Sequence, residues 1–312
     1  MTEKRATREA YGPTLVELVQ EGVDVVVVEA DLSKSTTTSK FAAAYPDRFF
    51  NTGVAEQNMI GTAAGLAVGG KVAFTGSFAV FATGRAYDQI RNTVCYSRLD
   101  VKVAPTHAGV TVGPDGGSHQ MLEDIALMRV LPGMRVLVPA DVNAAAAAIR
   151  LAATTPGPFY VRLGRAPVPV IYPAEVEAAV GRASLLRDGA DVTIAAAGVM
   201  VAEALAAADL LAADGIDAEV IDVFSVKPLD AETLLASARK TGAVVTAEEH
   251  SVVGGLGSAV AELLAEHDPV PMRRIGVRDS FGTSGEPDEL MAHFGLTAAD
   301  IAAAARELVG KS

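Results

Sequence analysis

The sequence predicts two α/β domains, each a doubly wound sheet with mainly parallel strands. Short apolar runs rich in Val and Ile alternate with longer stretches of helical periodicity, the pattern of βαβ units with buried strands. The alternation is interrupted once, over residues 165–189, by Pro167, Pro169 and Pro173, and restarts after Asp191. At 312 residues, 50% hydrophobic and 21% charged, the chain holds enough apolar mass for two cores.

The first domain is expected over residues 1–180. Strands are predicted at 24–29, 72–75, 101–105, 135–138 and 159–163, with helices at 8–20, 56–68, 79–96, 121–130 and 142–153. The alanines at 144–148 follow Asp141 and Asn143, so a strong helix former sits behind good capping residues. Residues 165–189 are expected as an exposed linker. The second domain, 190–312, predicts strands at 192–197, 217–223, 243–247 and 272–277. Its helices fall at 201–213, 231–240, 256–266 and 298–308.

A net charge of −12 argues against a nucleic-acid partner, which needs a basic footprint. No apolar run approaches about 18 residues, so no membrane span is expected. The polar start, Met1-Thr2-Glu3-Lys4-Arg5, shows no signal peptide. The expectation is a cytoplasmic protein. A single cysteine, Cys95, excludes an internal disulfide and a multi-cysteine metal site; its helical position predicts a buried, inert thiol.

The chemistry concentrates in residues 50–123. Asn51-Thr52-Gly53-Val54-Ala55-Glu56-Gln57-Asn58-Met59 places an acid on the first turn of an apolar helix. Acids are common there because they complement the helix dipole, and spacing alone favours that plain reading. Phe78 and Phe81 lie one turn apart at a helix start, a spacing that core phenylalanines often share. The loop Thr106-His107-Ala108-Gly109-Val110-Thr111-Val112-Gly113-Pro114-Asp115-Gly116-Gly117-Ser118-His119-Gln120 carries two imidazoles and a carboxylate among glycines. A lone histidine is usually structural, but this grouping on one loop points to a site. Acid, flat apolar surface and imidazoles suit an aromatic cofactor held beside a polar substrate. Asp115-Gly116 with the distant Asn143 does not make a metal–diphosphate signature, and Val253-Gly254-Gly255-Leu256-Gly257 lacks the full dinucleotide spacing.

These segments, above all Ala55-Glu56-Gln57-Asn58-Met59 and the Thr106-His107…Asp115-Gly116 loop, closely resemble the second half of transketolases. The resemblance implies a pyrimidine-binding domain of the thiamine-diphosphate fold followed by a transketolase C-terminal domain. It implies that Glu56 binds the cofactor's pyrimidine N1′ and is catalytic. Such an acid must be sheltered, since desolvation disfavours the charged form. It also implies that Phe78 and Phe81 stack on the pyrimidine ring, although Gly84 stands where many transketolases carry a third aromatic. His119 and His107 are implied as catalytic and substrate-binding, with Asp115 on the acceptor hydroxyl. Arg8, Ser35 and Arg162 are implied as binding the substrate's phosphate, where an arginine fork gives bidentate contacts.

The implied activity is transfer of a two-carbon ketol unit from a ketose phosphate to an aldose, in the manner of the pentose phosphate pathway. The half that grips the cofactor's diphosphate is missing from the resemblance. Mg²⁺ and diphosphate are therefore expected on an N-terminal-section partner chain, in an α2β2 heterotetramer built on a homodimer core. Three other readings remain: the β-subunit of a 2-oxoacid dehydrogenase, a relative of deoxyxylulose-phosphate synthase (which shares Arg85-Ala86-Tyr87-Asp88-Gln89), and a non-catalytic regulator.

Overall fold

A computed structural model describes residues 3–310. Two large sheets carry the chain. The first has seven strands, in the order Ser225–Lys227, Arg135–Leu137, Phe159–Val161, Val101–Val103, Val72–Gly76, Val25–Glu29 and Phe49–Asn51. All of its pairings are parallel except that of Ser225–Lys227. The second runs Met272–Val277, Val244–Ser251, Val192–Ala196, Ala218–Asp222, Ser184–Arg187, antiparallel only at the last pairing. β-Branched runs such as Val25-Val26-Val27-Val28 are buried because helices cover both faces of the sheet.

Tyr11, Leu15, Phe41 and Ile149 fill one face of the first sheet. Met59, Ile60, Ile90 and Val94 fill the other, and this core continues without a break into Ala195, Ile221, Val260 and Leu264 of the second half. The expected helix over 79–96 is instead a short helix, Ala79–Gly84, and a π-helical segment, Gln89–Cys95. Gly84, a weak helix former, ends the first piece. Cys95 is buried there, and desolvation pushes its thiol up to about 11, as an inert thiol requires.

Residues 165–189 are not a free linker. Pro167–Pro169 pairs antiparallel with Lys4–Ala6, burying Val168, and Ser184–Arg187 joins the second sheet. Proline tolerates such edge positions because its missing N–H can face away from the ladder. Asp141 anchors the stretch. Its Oδ1 accepts from Ala144 N at 2.8 Å, capping the helix Val142–Thr154, and its Oδ2 accepts from Ile171 N and Tyr172 N at 2.6 and 2.7 Å. Asp141→Ala removes the cap and leaves two further N–H groups without an acceptor. A loss of about 3 kcal/mol in chemical denaturation is expected; a loss below about 1 kcal/mol would show that water replaces the carboxylate freely.

Candidate active site

Glu56 opens the helix Glu56–Val68 and is only 4% exposed. Its Oε1 accepts from Arg85 Nη1 at 3.0 Å. Phe78 follows the strand Val72–Gly76 and caps the helix Ala79–Gly84. A parallel bridge joins Phe78 to Thr106, with Thr106 N bonding Ser77 O and Ala79 N bonding Thr106 O. That backbone contact lays the Phe78 ring on His107, centroids 3.7 Å apart. Phe81 lies nearly parallel to Phe78 at 5.9 Å, and His119 stands edge-on to Phe81 at 5.3 Å. Two phenylalanines and two imidazoles thus form one aromatic cluster beside a buried acid.

Hydrogen bonds fix the state of His107. Arg8 Nη1 can only donate, and it lies 3.3 Å from His107 Nε2, so Nε2 is the acceptor. Nδ1 then carries the proton and donates to Thr106 Oγ1 at 2.7 Å. Burial, then the charges of Arg8 and Arg165, depress the ring's pKa to about 3. His107 also adopts φ 60°, the left-handed region, which aims its ring back over Phe78. His119 is half-buried and bonds Ser118 Oγ through Nδ1 at 2.9 Å. Asp115 is exposed on the loop rim.

Arg8 also donates to the Ser35 carbonyl at 2.8 Å, so Ser35 meets it through backbone. The Ser35 loop is set by buried Glu29, which accepts from Leu32 N, Thr36 Oγ1 and Thr38 Oγ1. Burial pushes the Glu29 carboxyl above its usual range.

Arg162 departs from expectation. It follows a fully buried strand, and its guanidinium turns inward: Nε donates to Asp124 Oδ2 at 2.7 Å, Nη2 to Glu249 O at 2.9 Å. Tyr160 Oη donates to the same carboxylate at 2.6 Å. Burial alone would raise Asp124, but Arg162 holds it below the usual carboxylate range. The side chain is thus only 7% exposed and engaged by interior partners. The residue that the sequence reasoning passed over is Arg165. Gly164, whose N–H bonds Thr7 Oγ1, turns the chain so that Arg165 emerges beside Arg8. With Arg8 it lines a cavity of about 320 Å³, and Asp115 lies 4.0 Å away. Burial and the Arg165 charge lower the pKa of Arg8, the mark of two cations facing one space. The usable signal was the uninterrupted apolar run before Arg162, which marks that position as interior.

The glycine-rich loop is held by both halves of the chain. Thr111 N donates to Glu249 Oε1 at 2.6 Å, and Gln120 Nε2 donates to Val110 O and Thr283 O. A Cβ on Gly109, at φ +82°, would lie 2.1 Å from the Glu249 carboxyl carbon, so only glycine fits.

The planar Arg85 guanidinium lies between the Glu56 carboxyl and the Phe81 face, 3.0 Å from the acid and 4.1 Å from the ring centroid, so a flat group with a hydrogen bond to Glu56, as an aminopyrimidine would be, suits these two residues. Among the described residues, no group of three His, Cys, Asp or Glu is disposed to hold a metal ion. Fold and site together define an α/β protein in which a buried acid stands beside a cluster of two phenylalanines and two imidazoles. Residues 3–170 match the transketolase pyrimidine-binding domain and residues 181–301 the transketolase C-terminal domain. The chain belongs to the transketolase family, whose members depend on thiamine diphosphate. It is 49% identical over 301 residues to a protein described as a transketolase C-terminal section from Methanocaldococcus jannaschii, covering 96% of this chain and 94% of the relative. It is also 49% identical to the 6-deoxy-6-sulfo-D-fructose transketolase subunit of a Clostridium species, covering 98% and 95%. Among solved structures, "Split gene transketolase, inactive beta4 tetramer" superposes with a TM-score of 0.90 at 54% identity, covering 98% of both chains.

Two outcomes follow from the site geometry. Arg162→Met should destabilise the fold by about 3–5 kcal/mol, because Asp124 is left buried and unpaired. A stable Arg162→Met protein whose only defect is a raised KM for an anionic substrate would instead restore the phosphate role. For His107, the unfolded chain takes up a proton below about pH 6.5, whereas the folded ring stays neutral down to about 3. Its contribution is fully present above that upper value and is lost as pH falls between the two. ¹⁵N-resolved NMR should show an Nδ1–H imidazole throughout pH 5–7; a midpoint near 6.5 would contradict the assignment.

Proposed function

We propose that this chain is the pyrimidine-binding subunit of a split transketolase, moving a two-carbon ketol unit from a ketose phosphate to an aldose. The observation that carries the reading is the sheltered Glu56 beside the Phe78–Phe81 pair, with His107 and His119 on the same cluster. Glu56 would hold a proton at the pyrimidine N1′, and the Phe81 face would receive the ring. Thiamine diphosphate bound there would supply a nucleophilic thiazolium carbon and an electron sink for carbon–carbon cleavage. The free Nε2 of His119 would address the sugar hydroxyls at the reacting end. Neutral His107, its two nitrogens held by Arg8 and Thr106, would orient Arg8 toward the sugar without adding charge, and Asp115 on the rim would accept from the acceptor's hydroxyl.

The anionic end of the sugar is assigned to Arg8 and Arg165, in place of Arg162. They supply local positive charge in a chain of net charge −12. Mg²⁺ and the diphosphate are assigned to a partner chain in an α2β2 assembly. The names of the relatives support this, since they describe a "section" and a "subunit", and the split-gene structure is called inactive as a β4 tetramer.

The test mixes the purified chain with a candidate partner and follows ketose phosphate and 2-oxoacid in parallel assays. Turnover of ketose phosphate only when both chains are present is expected, with Glu56→Gln slower by about 100- to 10,000-fold. Turnover of 2-oxoacid alone would move the chain to the dehydrogenase class. Full ketol transfer by this chain unaided would refute the partner assignment.

A further inference from the structure

Arg85 occupies the place that the proposed function reserves for the pyrimidine. It follows the helix Ala79–Gly84, and its guanidinium carbon lies 4.1 Å from the Phe81 ring centroid. The same guanidinium donates to Glu56 Oε1 at 3.0 Å. A planar, donor-bearing cation stacked on Phe81 and bonded to Glu56 reproduces both contacts that a pyrimidine with a protonated bond to this acid would make. The two cannot share that ring face and that oxygen.

The local sequence makes this possible. Gly84 carries no side chain, and a Cβ built there would meet nothing within 4 Å. Arg85 therefore folds back over Phe81 through open space. Its side chain is 51% exposed, against 4% for Glu56. The arginine can swing into solvent, whereas the acid cannot follow it.

We propose that Arg85 is an internal plug of the pyrimidine subsite: it closes the site in the isolated chain and is displaced when cofactor enters. The inference rests on the assignment of Glu56 and Phe81 made above. It turns Arg85 into a competitor that sets how strongly the lone chain takes up cofactor. A partner chain that presents the diphosphate shifts the balance, because only the ring tethered to that anchor outcompetes the tethered arginine.

Calorimetric titration of thiamine diphosphate with Mg²⁺ into the isolated full-length chain tests this, with thermal melting to show that each variant folds. Arg85→Ala should bind at least tenfold more tightly than wild type. Arg85→Lys, which keeps the charge but loses the planar fork, should fall between them. Adding Glu56→Gln to Arg85→Ala should cancel the gain. Equal or weaker binding by Arg85→Ala, while Glu56→Gln still alters binding to the partnered complex, overturns the plug and leaves the functional reading intact. If Glu56→Gln has no effect on binding in either setting, the pyrimidine assignment itself fails, and the plug with it.

Discussion

The buried ion pair between Arg162 and Asp124 is the joint on which the rest of the architecture depends. Both partners are inaccessible, and Tyr160 and the Glu249 carbonyl satisfy what they leave open. Pairs of this kind contribute little net stability against a well-packed apolar alternative, yet removing one partner is costly. Their value here is positional. Asp124 begins a helix just after the glycine-rich loop, Arg162 directly follows the strand Phe159–Val161 of the first sheet, and Glu249 belongs to the second sheet. One cluster thus fixes the loop against both halves. The imidazoles that the loop carries inherit that rigidity, and so does the face they share with Phe78.

Much of the fold was legible in the sequence, and the reasons are specific. The helices Glu56–Val68 and Ala298–Leu308 and the strand Met272–Val277 appear at the expected bounds because their patterns are long and uninterrupted. Short elements such as Ser33–Thr36, Phe49–Asn51 and Pro287–His293 were missed, since none carries a β-branched run or a full helical repeat. The proline-rich stretch was misjudged for a different reason. Proline marks a poor central strand, and edge strands escape that rule.

The site was legible in type more than in detail. The resemblance singled out Glu56, Phe78, Phe81, His107 and His119; the structure groups the four rings and links Glu56 to them through Arg85. The choice between Arg162 and Arg165 was not available from residue type, because both are arginines on one short segment. What separates them is side-chain direction, hinted at by the apolar run before Arg162 and set by where the strand ends and Gly164 turns. The contact between Arg85 and Glu56 was equally hidden, for it joins residues 29 positions apart. An acidic chain can nonetheless bring two cations to one place: Arg8 and Arg165 line the same small cavity, with Glu9 and Glu286 also on its wall.

The strand Ser225–Lys227 lies far along the chain yet completes the edge of the first sheet, against Arg135–Leu137. The boundary visible in the sequence is therefore not a place where the molecule can be cut. A fragment ending near residue 180 would bare the backbone donors and acceptors of Arg135–Leu137, and exposed edges of that sort recruit neighbouring chains. The two halves of the chain are stitched together at that edge and must be expressed and engineered as one piece.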